Sequence, residues 1–225
     1  MRAVLALVLA LGSACTARTS DAVTVCAAAS LREVVTEVAD GWSRSGGTRV
    51  EARFDSSDTL ARQIRAGAPC DVFLSADPRW TLETEPIESF PWLGNRLVLV
   101  RRKGTTLADL AQATSLALGS EGSPVGRYAA AAMEAMGVAP PERTIRGSHV
   151  RDVLSKVAEG AAEAGIVYAT DVPIDPRIEV ASEIPSPDIV YPVALMTERG
   201  RGLYDAFRAP AAREIAKRHG FAEVR

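Results

Sequence analysis

The chain reads as an α/β protein built on an open, mostly parallel sheet. Three observations predict this. Short apolar segments, among them Val23-Thr24-Val25, Val72 to Leu74, Leu116-Ala117-Leu118 and Ala164 to Tyr168, suit strands and are too short for helices. Segments of helical period alternate with them. At four places a helix opens on small or hydroxyl-bearing residues. A helix start leaves its first N–H groups without intrahelical acceptors and carries partial positive charge, so each such place is an anion site made of neutral atoms.

The first unit runs Val23-Thr24-Val25 into Cys26-Ala27-Ala28-Ala29-Ser30. Leu31, Val34, Val35, Val38 and Trp42 then fall on one helical stripe. In the second, Phe54-Asp55-Ser56-Ser57 hands over to an amphipathic run with Leu60 and Ile64, a turn at Gly67-Ala68-Pro69 and the strand Val72 to Leu74. Arg96 to Val100 reads as a continuous strand. The third unit joins Leu116-Ala117-Leu118 through GSEGSPVG to a helix starting near Val125-Gly126, with Tyr128, Met133 and Met136. The fourth opens at Gly147-Ser148-His149-Val150, with Val150, Val153, Leu154 and Val157 on one face, and leads to Ala164-Gly165-Ile166-Val167-Tyr168. Asp171 to Pro192 is Pro-rich and reads as loop. Tyr191 to Leu195 is a further strand, and a terminal helix carries Leu203, Tyr204, Phe207, Ile215 and Phe221. In open α/β sheets ligands sit at the carboxyl ends of the strands, where these openings lie.

Composition narrows the function. With 225 residues the chain holds one large domain or two small lobes. A net charge of −2 without a basic stripe excludes nucleic acid as a partner. The start, MRAVLALVLALGSACTARTS, has one arginine, an apolar run from Ala3 to Leu11 and small residues before Cys15, which is an export signal over residues 1–15. The run is too short to remain as a spanning helix. Gly12-Ser13-Ala14-Cys15 also fits a lipoprotein signal, with Cys15 the candidate for lipidation and a lipid anchor the only membrane attachment. The alternative is plain cleavage. Export puts Cys26 and Cys70 in an oxidising compartment. Cys26 ends one strand and Cys70 precedes another, so parallel neighbours would hold their α-carbons beyond the roughly 7 Å limit for a bridge. Cys26 is therefore expected as a small, unbridged core residue.

The strings VTVCAAASL, DSSDTLARQIRAGAPCDVFLSAD, GNRLVLV, PVGRYAAAAME, GAAEAGIVYATD and YPVAL resemble the periplasmic molybdate-binding proteins of ABC importers, in that family's order, from about Val23 to Phe221. The resemblance implies a two-lobed type II periplasmic binding protein fold, each lobe a mixed, mostly parallel sheet flanked by helices, joined by two crossing hinge strands. Lobe I would comprise residues 22–95 plus 194–225, and lobe II residues 96–193. It implies a monomeric, extracytoplasmic carrier without catalytic residues or cofactor, binding molybdate or tungstate and delivering it to an importer permease. The family's ligand positions fall on Ser30, Ser57, Val125, Val150 and Tyr168. The two serines would give hydroxyl and amide donors, the two valines amides alone and Tyr168 its phenol, all to the oxyanion's oxygens. Ala76 and Ala29 would line the cavity.

Other readings stay open at this point. Sulfate or another oxyanion would suit a carrier of the same fold. Asp55 and Asp58 stand where the family more often has small or hydroxyl residues. Asp58 is read as a first-turn carboxylate favoured by the helix dipole; the other reading, a repulsive or proton-accepting neighbour of the ligand, would shift preference toward a protonated oxyanion. A secreted serine hydrolase would need a G-x-S-x-G elbow and a histidine partner, and the chain has no such string. Arg62, Arg65, Arg127 and His219 are assigned to exposed faces. With two histidines and three cysteines, one of these in the signal, no metal cluster assembles at recognised spacing.

Overall fold

Each predicted apolar segment is a strand in a computed structural model, which describes residues 22–224. The export segment 1–15 and the lipidation candidate Cys15 lie outside the described residues. The order is β1 (Val23–Ala28), a 3-10 turn (Ala29–Leu31), α1 (Arg32–Arg44), β2 (Val50–Asp55), α2 (Ser57–Arg65), β3 (Val72–Leu74), α3 (Pro78–Leu82) and β4 (Glu88–Arg102). It continues with β5 (Ser115–Gly119), α4 (Pro124–Ala135), β6 (Arg143–Gly147), α5 (Val150–Ala158) and β7 (Ala164–Tyr168). The chain closes with β8 (Ile178–Leu195), α6 (Arg201–Arg208) and α7 (Pro210–Arg218).

The strands form one mixed sheet in the order β2-β1-β3-β8-β4-β7-β5-β6. β1, β2 and β3 are mutually parallel, as are β5, β6 and β7, and the antiparallel pair β4 and β8 lies between the two sets. The register sets the geometry of the site. Leu74, the last residue of β3, pairs with Val193 of β8, whose partner on β4 is Phe90. Tyr168, the last residue of β7, pairs with Leu97 of β4. The two parallel sets therefore run toward one another, and their carboxyl ends face across the stretch Pro91–Arg96 of β4. Both expected lobe boundaries fall inside strands, within β4 and within β8.

Two expectations are corrected. The Pro-rich stretch is no loop: most of it belongs to the 18-residue β8. Pairing with β4 steps from Ile189 to Ile184, so Pro185 and Pro187 lie in the excursion between those rungs. Pro192 faces Pro91 beside a second register shift. Prolines are tolerated where no ladder N–H is required. The terminal helix is two helices, because Pro210 cannot donate to a preceding turn and Ala209 is extended, with ψ 147°.

The core follows the predicted stripes. Leu31, Val34, Val35 and Val38 are all buried, each contributing roughly 1.5–3 kcal/mol. Cys26 and Cys70 form a disulfide with α-carbons 6.0 Å apart, contrary to the expectation of an unbridged Cys26. The error lay in taking the approach to β3 as straight. The turn at Gly67 folds Pro69 back over β1, where the Pro69 carbonyl lies 3.8 Å from the Cys26 sulfur.

Candidate functional site

The facing strand ends meet around a small space of about 20 Å³. Ser30, Ser57, Val125, Val150 and Tyr168 all line it, as do Ala76 and Ala29. These residues come from both sets of strands, and every one is buried.

Ser30 sits in the 3-10 turn after β1, where no side chain caps the helix start. Its hydroxyl lies 3.4 Å from the Tyr191 hydroxyl. Ser57 is the first residue of α2, and its Oγ accepts the Ala76 N–H at 2.9 Å, which ties α2 to the end of β3 and leaves the serine proton available. Val125 and Val150 occupy first turns, where the helix cannot bond their amides internally. Ser123 and His149 take up the amide of each helix's third residue instead: Ser123 Oγ accepts from Gly126 N at 3.2 Å and His149 Nδ1 from Asp152 N at 3.2 Å. An accepting Nδ1 places the neutral imidazole proton on Nε2.

Tyr168 Oη is buried and has no hydrogen-bond partner among the described residues. An unpaired buried donor costs about 1–3 kcal/mol, so it marks a place for an acceptor. Burial, reinforced by the neighbouring Tyr191 phenol, holds the Tyr168 hydroxyl well above its ordinary range, and it remains an O–H donor. The Tyr168 and Tyr191 rings meet edge to face at 5.8 Å.

Among the described residues, no lysine or arginine lines the space. Asp55 does, accepting the Ser56 N–H at 2.7 Å. Asp58 does not line it; its buried carboxylate takes the Ser56 hydroxyl and pairs with Arg62 at 2.9 Å. Lining residues absent from the sequence-based set are Ala28, Asp55, Ser56, Ser123, Pro124 and His149, each within two residues of a predicted one. Tyr191 was also missed. It does not line the space but bears on Ser30, and Asn95 Nδ2 donates to its hydroxyl at 3.2 Å. A tyrosine inside a fully apolar strand was the available signal, since its buried hydroxyl requires a partner. Arg127 departs from its assigned exposed face: it is half-buried and bonds Asp77 at 3.1 Å. His219 does likewise, meeting Glu37 at 2.8 Å.

Chemically the five predicted positions offer amides and hydroxyls, suited to holding a small anion by hydrogen bonds, with the Asp55 carboxylate and the His149 imidazole also in the lining. The site is unsuited to acyl transfer. The Ser57 oxygen accepts an amide and the Ser30 neighbour is a phenol, and among the described residues neither serine hydroxyl is hydrogen-bonded to a base.

Residues 23–222 match a family described as bacterial extracellular solute-binding protein. The chain is 34% identical over 232 residues to the molybdate-binding protein of Escherichia coli K12, covering 88% of each. The periplasmic molybdate-binding protein of Azotobacter vinelandii shares its fold with a TM-score of 0.78, at 21% identity over 90% of this chain and 100% of that one. The sulfate-binding protein SubI of Mycobacterium tuberculosis shares it with a TM-score of 0.75, at 15% identity over 89% of this chain and 86% of that one. At these identities the two structures speak to fold alone. A profile spanning nearly the whole described chain and a relative at this identity have one conclusion: the protein belongs to the bacterial extracellular solute-binding protein family.

Proposed function

We propose that this protein captures molybdate, or tungstate, between two hinged lobes outside the cytoplasm and delivers it to an ABC importer. Lobe I is residues 22–95 plus 194–225 and lobe II residues 96–193, with β4 and β8 as the flexing strands. Ser30 and Ser57 of lobe I and Val125, Val150 and Tyr168 of lobe II hold the oxyanion. The protein is a monomer, attached to the membrane only if Cys15 carries lipid.

One observation carries the reading: the five positions meet around a single buried space whose predicted contacts only donate, with the orphaned Tyr168 hydroxyl among them. These five contacts, which only donate, prefer a dianion without a proton of its own. Near neutral pH phosphate carries an O–H, which none of these five contacts accepts, at a cost of about 1–3 kcal/mol unless Asp55, the carboxylate in the lining, takes it. Molybdate, tungstate and sulfate carry none, and the larger size of the first two makes the width of the space the discriminator among them. Roughly six charge-assisted bonds at about 1.5–3 kcal/mol each exceed the 8–12 kcal/mol of micromolar to nanomolar binding. Dehydrating the ion and ordering the lobes consume the difference.

Sulfate is the second reading, because the fold likeness extends almost equally to a sulfate-binding protein. Calorimetric titration with molybdate, tungstate, sulfate and phosphate decides. Binding of molybdate or tungstate with little or no binding of phosphate is the expected result. Sulfate binding most tightly would move the assignment to sulfate, and no heat with any of the four would end it.

A further inference from the structure

The residues that follow the lobe II amide donors do something the donors do not. Arg151, next to Val150, lies on α5 and reaches two carboxylates. Its Nε meets Asp171 Oδ1 at 2.5 Å, within the same half of the sheet. Its two terminal nitrogens fork onto Glu33, Nη1 to Oε1 at 3.1 Å and Nη2 to Oε2 at 2.5 Å. Glu33 belongs to the other half, in the first turn of α1, three residues after Ser30. One guanidinium thereby joins the helix that bears Val150 to the segments that directly follow Ser30 and Tyr168. Arg127, two residues after Val125, repeats the arrangement with Asp77, the residue after Ala76.

We infer that Arg151 and Arg127 are positioning residues: they clasp Glu33 and Asp77 across the cleft, hold the lobes closed and set how long the oxyanion stays, without touching it. This rests on the proposed reading of the chain as a closing oxyanion carrier. The pairs are built for the task. Asp171 has no exposed side-chain surface and fixes Arg151 in place before Glu33 arrives, so little rotamer freedom remains to be lost on closure. Burial works against the Arg151 charge, but Asp171 and Glu33 outweigh it and the guanidinium stays protonated. The Glu33 side chain is 36% exposed, so this half of the clasp opens to water and is sensitive to salt.

Arg151→Gln would strand the buried Asp171 carboxylate and risks unfolding. Glu33→Gln and Glu33→Lys leave the Arg151–Asp171 pair intact and are the variants to use. Glu37→Gln is the control, since Glu37 lies one turn further along α1 and pairs with Arg218 and His219 of α7 and its end, not with α5. Kd and dissociation rate are measured with molybdate by calorimetry and stopped flow. Glu33→Gln should weaken binding roughly three- to tenfold, mainly through faster release, and Glu33→Lys should weaken it further. Both ratios should shrink in about 1 M salt, where the screening length is about 3 Å. Glu37→Gln should match the wild type. Solution scattering without ligand provides an arm independent of the oxyanion: Glu33→Lys should enlarge the radius of gyration. Wild-type protein that binds neither molybdate nor tungstate would defeat the functional reading, and scattering would still decide the clasp. If both Glu33 variants release molybdate at the wild-type rate, or if neither salt nor scattering distinguishes them from wild type, the clasp is wrong.

Discussion

Replacing Tyr168 by phenylalanine separates a ligand contact from a structural one. The ring is buried at the end of β7 and packs on Tyr191, so Phe keeps the packing and removes only the hydroxyl. That hydroxyl bonds nothing among the described residues. The protein without ligand should therefore melt no lower than wild type. Ligand binding should suffer, because a hydrogen bond to a charged oxygen contributes about 1.5–3 kcal/mol, or roughly 10- to 150-fold in Kd. At molybdate one hundred times the wild-type Kd, wild type gains about 2.7 kcal/mol by linkage. The variant gains about 1.4 kcal/mol for a tenfold loss and about 0.3 kcal/mol for a 150-fold loss. At about 2–4 °C per kcal/mol for a chain of this size, the ligand-induced rise in Tm falls from about 5–11 °C to about 1–6 °C. Scanning calorimetry with and without molybdate reads both quantities. A ligand-free Tm that drops by several degrees with an unchanged molybdate response would show that the hydroxyl serves the fold, and the assignment of Tyr168 would fall.

Ser57→Ala should weaken molybdate binding more than Arg62→Ala, since Ser57 lines the space while Arg62 does not and pairs with Asp58; equal losses by calorimetry would mean a misplaced cleft. Converting both Cys26 and Cys70 to alanine should cost about 4 kcal/mol, from the loop entropy of a 44-residue separation, read by urea unfolding. Burial lifts the Asp171 carboxyl from 3.8 to about 6, against the pull of Arg151. A carboxyl raised on folding adds stability that is complete below its unfolded value and lost as pH climbs through the folded one. Unfolding free energy should therefore fall between about pH 4 and pH 6 on the order of 3 kcal/mol from this group. Asp171→Asn should lack that fall, and parallel pH profiles for the two proteins would contradict the assignment.

The site was more legible in the sequence than the strands that carry it. The four helix openings are legible because each follows a short apolar run and carries small or hydroxyl residues, while the choice of Ser30, Ser57, Val125 and Val150 within them came from the family resemblance. Asp55, Ser56, Ser123 and His149 escaped because capping and lining are performed by adjacent residues, and spacing cannot say which of two neighbours faces inward. β8 escaped because its prolines resemble loop punctuation until the rungs that skip Pro185 and Pro187 are known. The disulfide escaped because a strand-end argument assumes straight chain, whereas Gly67, at φ 89°, turns it back. Arg127 and Arg151 are invisible as a pair of clasps for a further reason: their carboxylates lie in the other half of the chain, and no local pattern links them.

The pairing of Val72–Leu74 with Val193–Leu195 bears on how the molecule is made. β3 obtains its second neighbour only from the last strand of the chain, so the amino-terminal half stays incomplete until nearly all of the polypeptide is present. Such distant pairing slows assembly. A nascent chain that cannot finish its first half early remains threadable, which suits a polypeptide that crosses a translocation pore before it acquires shape.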